Sequence, residues 1–207
     1  MKKVLLTIAV MGVAVSVLAQ GTVIFNNNGT GYRAPVYGPD PLDKTLSLQG
    51  NTATGIPAGS TVYGGPLLAG TNYMAQLFAG LAENDLVAQT PISTFRAGGA
   101  AGFLPNVTIT LTGIPKDAPL AWFQIRAWDN TSGLYPTWTE AAAAWQSGSI
   151  AAGMGNVFSI EKIGGDINLP PTLSGQRSFN IYLIPEPSTF ALAGLGAAAL
   201  MIFRRRK

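Results

Sequence analysis

Hydrophobic and polar residues alternate along several short segments in the middle of the chain. In segment 107–112, VTITLT, the apolar residues occupy every second position and threonines occupy the positions between them. Because successive side chains of a β-strand point to opposite faces, this pattern predicts a strand with one buried and one wet face. Patterns typical of strands also occur at residues 22–26, 61–63, 73–78, 121–129, 157–163 and 178–184.

The segments between these strands are rich in glycine, proline and asparagine, which favour turns. Several short strands separated by turn residues are typical of two packed antiparallel sheets. The sequence therefore predicts an all-β fold, an antiparallel β-sandwich or jelly-roll-like domain over residues 20–184. Residues 26–60 are mostly Gly, Pro, Asn, Thr and Ser and predict long ordered loops.

One segment departs from the strand pattern and predicts a helix. Thr137 is followed three positions later by Glu140, the spacing of a capping box, and then by alanines, which are strong helix formers. Gly148 can supply the left-handed residue that ends a helix. We therefore expect one short helix over residues 138–146, inserted between strands.

The four tryptophans lie on the elements just described. Trp122 and Trp128 have the even spacing that places them on one face of a strand, and Trp138 and Trp145 are seven apart on one face of the helix. Two interpretations follow. The helix packs its tryptophans over the strand and forms a second small core, or the rings are exposed and stack on sugars. A contact between Trp128 and Trp138 would favour the first.

Composition restricts the chemistry that the chain can perform. The 207 residues are 47% hydrophobic and 11% charged, and they include no Cys and no His. Disulfides, thiolate nucleophiles, Cys-ligated zinc, Ser-His-Asp triads and HExxH zinc sites are therefore excluded. Carboxylates remain as acid or base groups, but no spacing selects the pair that a glycoside hydrolase needs. We expect no enzymatic activity, no cofactor and no assigned metal ligand, and leave calcium open near Asp40, Asp43 and Asp129.

The N-terminus has the three parts of a secretory signal peptide. Two lysines precede the uncharged apolar run 4–17, and the small residues of Val-Leu-Ala follow. We predict a signal peptide over residues 1–19, removed by signal peptidase between Ala19 and Gln20. The alternative is an uncleaved membrane anchor, which an apolar run this short disfavours.

The C-terminus also has three parts. Pro185, Glu186 and Pro187 form a triplet, and an uncharged apolar segment, about 189–203, follows it. This segment predicts a short transmembrane helix. A basic tail stops its transfer and stays in the cytoplasm, so the domain faces outward. The tail consists of Arg204, Arg205, Arg206 and Lys207.

Taken together, residues 185–207 resemble the PEP-CTERM sorting signal of Gram-negative bacteria. The resemblance implies recognition of the triplet by an exosortase, a membrane-embedded transpeptidase-like enzyme, after transient anchoring in the inner membrane. It further implies a component of the cell envelope or extracellular matrix, a class often tied to exopolysaccharide production. The alternative is an ordinary C-terminal anchor behind a proline-rich linker.

The charge of the chain belongs mainly to its ends. Six of the 13 Lys and Arg residues lie in the two terminal segments, which leaves seven against ten Asp and Glu and a net charge near −3. No basic patch remains that would bind nucleic acid. We therefore expect an exported envelope or matrix protein. The alternatives are a carbohydrate-binding module for an extracellular polysaccharide and a carboxylate-dependent glycan hydrolase.

Overall fold

The computed structural model describes residues 20–185. The predicted signal peptide, motif residues Glu186 and Pro187, the apolar segment 189–203 and the basic tail 204–207 lie outside the described residues. The described elements are β1 (Gln20–Phe25), β2 (Asn28–Gly29), β3 (Tyr32–Arg33), β4 (Val36–Tyr37), β5 (Gly70–Gly80), β6 (Val87–Ala88), β7 (Ser93–Phe95), a 3-10 helix (Gly98–Ala100), β8 (Val107–Pro115), β9 (Leu120–Asp129), α1 (Trp138–Gln146), β10 (Ala152–Met154), β11 (Phe158–Glu161) and β12 (Phe179–Asn180).

The described chain is mostly β, with antiparallel sheets and one α-helix, as the sequence predicts. Strands β5 and β9 pair along their length and form the centre of a six-stranded sheet. On the other side of β9 lie β10 and β11, and on the other side of β5 lie β6 and β7. Strands β1 and β8 form a separate antiparallel pair, whereas the short strands β4 and β12 pair in parallel.

The main core lies between the β1–β8 pair and one face of the six-stranded sheet. Alternate residues of each strand point into it, because the side-chain period of a strand is two. Buried apolar side chains of this kind contribute most of the favourable free energy of folding. The central members of this cluster are Val23, Phe25, Leu77, Ile109, Leu111, Phe123 and Ile125.

Helix α1 packs on the opposite face of the six-stranded sheet, over Phe78 and Trp128. Its boundaries are those predicted. The capping box is present at its start, where the Glu140 carboxylate accepts a hydrogen bond of 2.8 Å from the Thr137 N–H. Just beyond its end, Gly148 has the left-handed φ of 75° that favours glycine.

Two predicted strands differ from the structure. The segment 61–63 is not a strand, so that prediction was wrong. Tyr63 instead stacks on Tyr37 with the ring centroids 4.1 Å apart, and its hydroxyl donates to the carbonyls of Gly50 and Ser178. The predicted strand 178–184 is regular only at β12, and the loops over 26–60 contain three two-residue strands, β2 to β4.

Candidate functional site

Three of the four tryptophans form the centre of a second core. Trp128, Trp138 and Trp145 are 0%, 7% and 6% exposed. The ring centroids of Trp128 and Trp138 are 5.9 Å apart, as are those of Trp138 and Trp145. The predicted contact between Trp128 and Trp138 is thus confirmed. Because these rings are buried, they offer no surface on which a sugar could stack, and only Trp122, half-buried on the same sheet face, is partly open.

This second core holds the last residues before the proline triplet. The indole Nε1 of Trp145 donates a hydrogen bond of 2.8 Å to the carbonyl of Tyr182, and the two rings meet edge to face. Tyr182 also exchanges two backbone hydrogen bonds with Ala152, at the edge of the six-stranded sheet. The side chain of Ile184 packs against the same cluster.

The chain leaves the folded domain directly after these contacts. The Leu183 N–H donates to the Lys44 carbonyl at 2.8 Å, Ile184 is half-buried, and Pro185 is exposed. Four residues, 185–188, separate Ile184 from the predicted apolar segment. Since an extended chain rises by at most about 3.6 Å per residue, the five steps from Ile184 to residue 189 span no more than about 18 Å. Pro185, the first residue of the triplet, thus directly follows the last packed residue of the domain.

Residues 182–184, the tether, were predicted as part of a regular strand over 178–184, and no sequence pattern indicated their contacts. The tether depends on backbone carbonyls and on an indole N–H from a distant helix. No side-chain pattern identifies such partners, although the apolar residues directly before the triplet are consistent with a packed segment.

Several predicted carboxylates stabilise local turns. Oδ1 of Asp129 accepts hydrogen bonds from the N–H and the hydroxyl of Thr131, and Oδ1 of Asp43 accepts the same pair from Thr45. The Thr45 hydrogen bonds lower the pKa of Asp43. Asp40 accepts a hydrogen bond from the Leu42 N–H. Within residues 20–185, no group of three or more acidic side chains is arranged to hold a metal ion.

Asp117 joins two loops of the domain. Its carboxylate accepts hydrogen bonds from three consecutive backbone N–H groups, those of Asp166, Ile167 and Asn168, at 2.8–3.2 Å. The Lys116 ammonium contacts the Asp166 carboxylate at 2.6 Å beside them. The backbone hydrogen bonds, led by that of Asn168, lower the pKa of Asp117 from its ordinary value of 3.8.

We expect Asp117→Asn to lower the melting temperature near neutral pH and to have a smaller effect in acid. Because the folded state holds the pKa of Asp117 below 3.8, ionised Asp117 stabilises the fold above that pH. The stabilisation is lost as the pH falls through the lowered value. Melting curves of wild type and variant between pH 7 and pH 2 would measure this. A difference that stays constant over the whole range would contradict the assignment.

Comparison with known protein families identifies the C-terminal segment. Residues 183–207 match the PEP-CTERM protein-sorting motif. The motif thus begins at Leu183, within the tether, and continues through the triplet. No curated protein and no solved structure matches the chain.

The apolar part of the motif lies beyond the described residues. In the part of the chain that the structure describes, no helix is long and apolar enough to cross a membrane. The chain combines a mostly β domain with a PEP-CTERM motif, and the motif supports an exported protein that an exosortase sorts.

Proposed function

We propose that this chain is an exported protein of the cell envelope or extracellular matrix, without enzymatic activity, whose β domain is released from a transient membrane anchor. In this proposal signal peptidase cleaves after Ala19, and residues 189–203 hold the protein in the inner membrane. An exosortase-type enzyme then acts at the triplet formed by Pro185, Glu186 and Pro187.

The match of residues 183–207 to the sorting motif is the observation that carries this proposal. The geometry of the exit supports it. The last contacts of the domain end at Ile184, and Pro185 is exposed. Proline cannot extend a sheet by donating a hydrogen bond, and it disfavours helix in the residue before it. We therefore expect an extended triplet that a processing enzyme can bind.

The short connection also limits how the enzyme can approach. If residues 189–203 span the membrane, Ile184 lies within about 18 Å of the start of that span. A membrane-embedded enzyme would reach the triplet this close to the membrane, whereas the domain would sterically block a bulky soluble protease. The arrangement suits processing at the membrane surface.

Intact mass spectrometry of the protein from its native host tests the proposal. We expect the wild type to give a species that begins at Gln20 and ends near Pro187, in the envelope or the medium. Replacing the whole triplet with alanines should abolish this species, and a form that retains residues 204–207 should accumulate in the membrane. Because the tether ends before the triplet, the domain should fold normally in this variant.

A second triplet of the same kind provides a matched control. Asp40 lies between Pro39 and Pro41 in a loop of the domain, and neither an apolar segment nor a basic tail follows it. Replacing Glu186 with Gln should slow processing, whereas Asp40→Asn should leave it unchanged. If the wild type retains Arg204 and is found only in the membrane, the C-terminus is an ordinary anchor and the proposal is wrong.

A further inference from the structure

Arg126 is held rigidly at the edge of the second core. It lies on β9, half-buried, with Cζ 3.7 Å from the ring centroid of Phe78 and 5.3 Å from that of Trp138. Its Nε donates a hydrogen bond of 2.9 Å to Oε1 of Gln124. Gln124 is itself fixed, because its Nε2 donates to the Gly155 carbonyl at 2.9 Å. One face and one edge of the guanidinium are therefore occupied.

The charge of Arg126 has no acidic partner in the described domain. Within residues 20–185, the structure contains one ion pair, and it joins Lys116 to Asp166. Burial lowers the pKa of Arg126, in keeping with a cation removed from water and not neutralised by a carboxylate. Stacking on aromatic rings offsets part of the desolvation cost, but it leaves the Nη donors of the guanidinium without an acceptor in this domain.

Arg126 lines an open cavity. Helix α1 covers only part of the outer face of the sheet, and beside it a cavity of about 320 Å³ lies between β9, β10 and the loop after β5. This volume is at the lower end of the range of small-molecule sites, about 300–1,000 Å³. Its lining includes Arg126, Gln124, Asn84, Glu83 and Met154.

We propose that this cavity binds a ligand that carries a carboxylate group, with Arg126 as the group that binds the carboxylate. With Nε engaged by Gln124, the two Nη groups present parallel N–H donors, and this fork matches the two oxygens of a planar carboxylate. The amide side chain of the exposed Asn84 provides polar atoms for the rest of the ligand. Gln124 acts as a positioning residue that fixes the plane of the guanidinium.

Glu83 is the charged neighbour that opposes binding. It lines the same cavity and is exposed, and it forms no ion pair with Arg126 within 4 Å. Its negative charge repels an incoming carboxylate, so removing it should strengthen binding. The site does not depend on the sorting proposal, because it lies in the domain and its binding is measured on the purified chain.

Isothermal titration calorimetry of the full chain, in a nonionic polyoxyethylene detergent that contains no sugar, tests the site. The probes are sodium galacturonate, sodium glutarate and glucose at constant ionic strength. We expect the carboxylates to bind and neutral glucose not to bind. Binding of galacturonate alone would identify an acidic saccharide as the natural source of the carboxylate. Equal binding of glutarate would identify a free organic acid.

Variants separate the proposed contact from general charge effects. Arg126→Lys should weaken carboxylate binding by about tenfold or more, since lysine lacks the planar fork. Arg33 also stacks on a ring, with Cζ 5.4 Å from the Phe103 centroid, but it is exposed and outside this cavity. Arg33→Lys should therefore change nothing.

Glu83→Gln provides a second test at an exposed position, where the fold is not at risk. It should tighten carboxylate binding by about twofold to fivefold, because it removes a like charge near the site. If Arg126→Lys fails to fold, the Glu83→Gln variant tests the site by itself. Tighter carboxylate binding by Glu83→Gln supports the site, and unchanged binding overturns it. No binding of either carboxylate to the wild type, or equal binding by Arg126→Lys, would show that Arg126 only stacks.

Discussion

Replacing Trp128 with alanine is expected to lower the free energy of unfolding by about 3–5 kcal/mol. Trp128 is fully buried, and its ring meets that of Trp138 edge to face. Its indole Nε1 also donates a hydrogen bond of 2.8 Å to the Tyr135 carbonyl. The substitution therefore removes a large packed side chain and leaves the carbonyl of the half-buried Tyr135 without this donor. Urea unfolding of the full chain, followed by circular dichroism, measures the loss.

Trp122 provides the matched control for this prediction. It lies six positions earlier on the same strand and the same sheet face, but it is half-buried and belongs to neither core cluster. Trp122→Ala should cost only about 1 kcal/mol. Equal losses in the two variants would show that the second core does not contribute the stability that its burial implies.

The elements that sequence analysis predicted well are those whose pattern depends on local rules. The helix between Thr137 and Gly148 was predicted to the residue, because its capping box, its alanines and its terminal glycine all indicate the same boundaries. Strands β8 and β9 were predicted from their alternation, and their inward residues form the main core. The contact between Trp128 and Trp138 followed from combining the two periodicities.

The features that were missed depend on contacts between distant parts of the chain. Tyr63 was assigned to a strand, yet its hydroxyl donates to the Ser178 carbonyl, 115 positions away. Asp117 binds the backbone of residues 166–168 across about 50 positions. Such bonds involve backbone groups, which every residue has, so no residue type indicates the partner.

Arg126 illustrates a third limit of the sequence. It lies within the predicted strand 121–129, on the face that carries Trp122 and Trp128, but the sequence assigned no contact to its charge. The structure instead shows a charge stacked on Phe78 beside a core of tryptophans. The two periodicities predicted that the helix covers this face, but they do not indicate which charged residue of the face stacks on which ring.

The second core and the sorting motif are physically connected, and Trp145 is the connection. The main bonds that hold Tyr182 are the Trp145 indole hydrogen bond and the two backbone bonds with Ala152. Removing the indole leaves the two backbone bonds with Ala152, the bond from the Leu183 N–H to the Lys44 carbonyl and the packing of Ile184. Local opening of these few contacts costs less than global unfolding, so the tether should open first.

We therefore expect Trp145→Ala to lower the free energy of unfolding by about 3 kcal/mol and to expose the bond after Tyr182 to chymotrypsin. Trp145→Phe keeps a ring in the core but loses the Nε1 donor, so it should cost about 1–2 kcal/mol and expose the bond less. Limited proteolysis of the full chain, with fragment masses, measures the cut.

The order of cleavage identifies the tether: Trp145→Ala should be cut most readily, Trp145→Phe less readily and the wild type least. If both variants resist chymotrypsin as well as the wild type does, Leu183 and Ile184 hold the exit without the indole. In that case processing at the triplet would be independent of the second core. If the order holds, the packing of three tryptophans fixes the position at which the sorting motif leaves the domain.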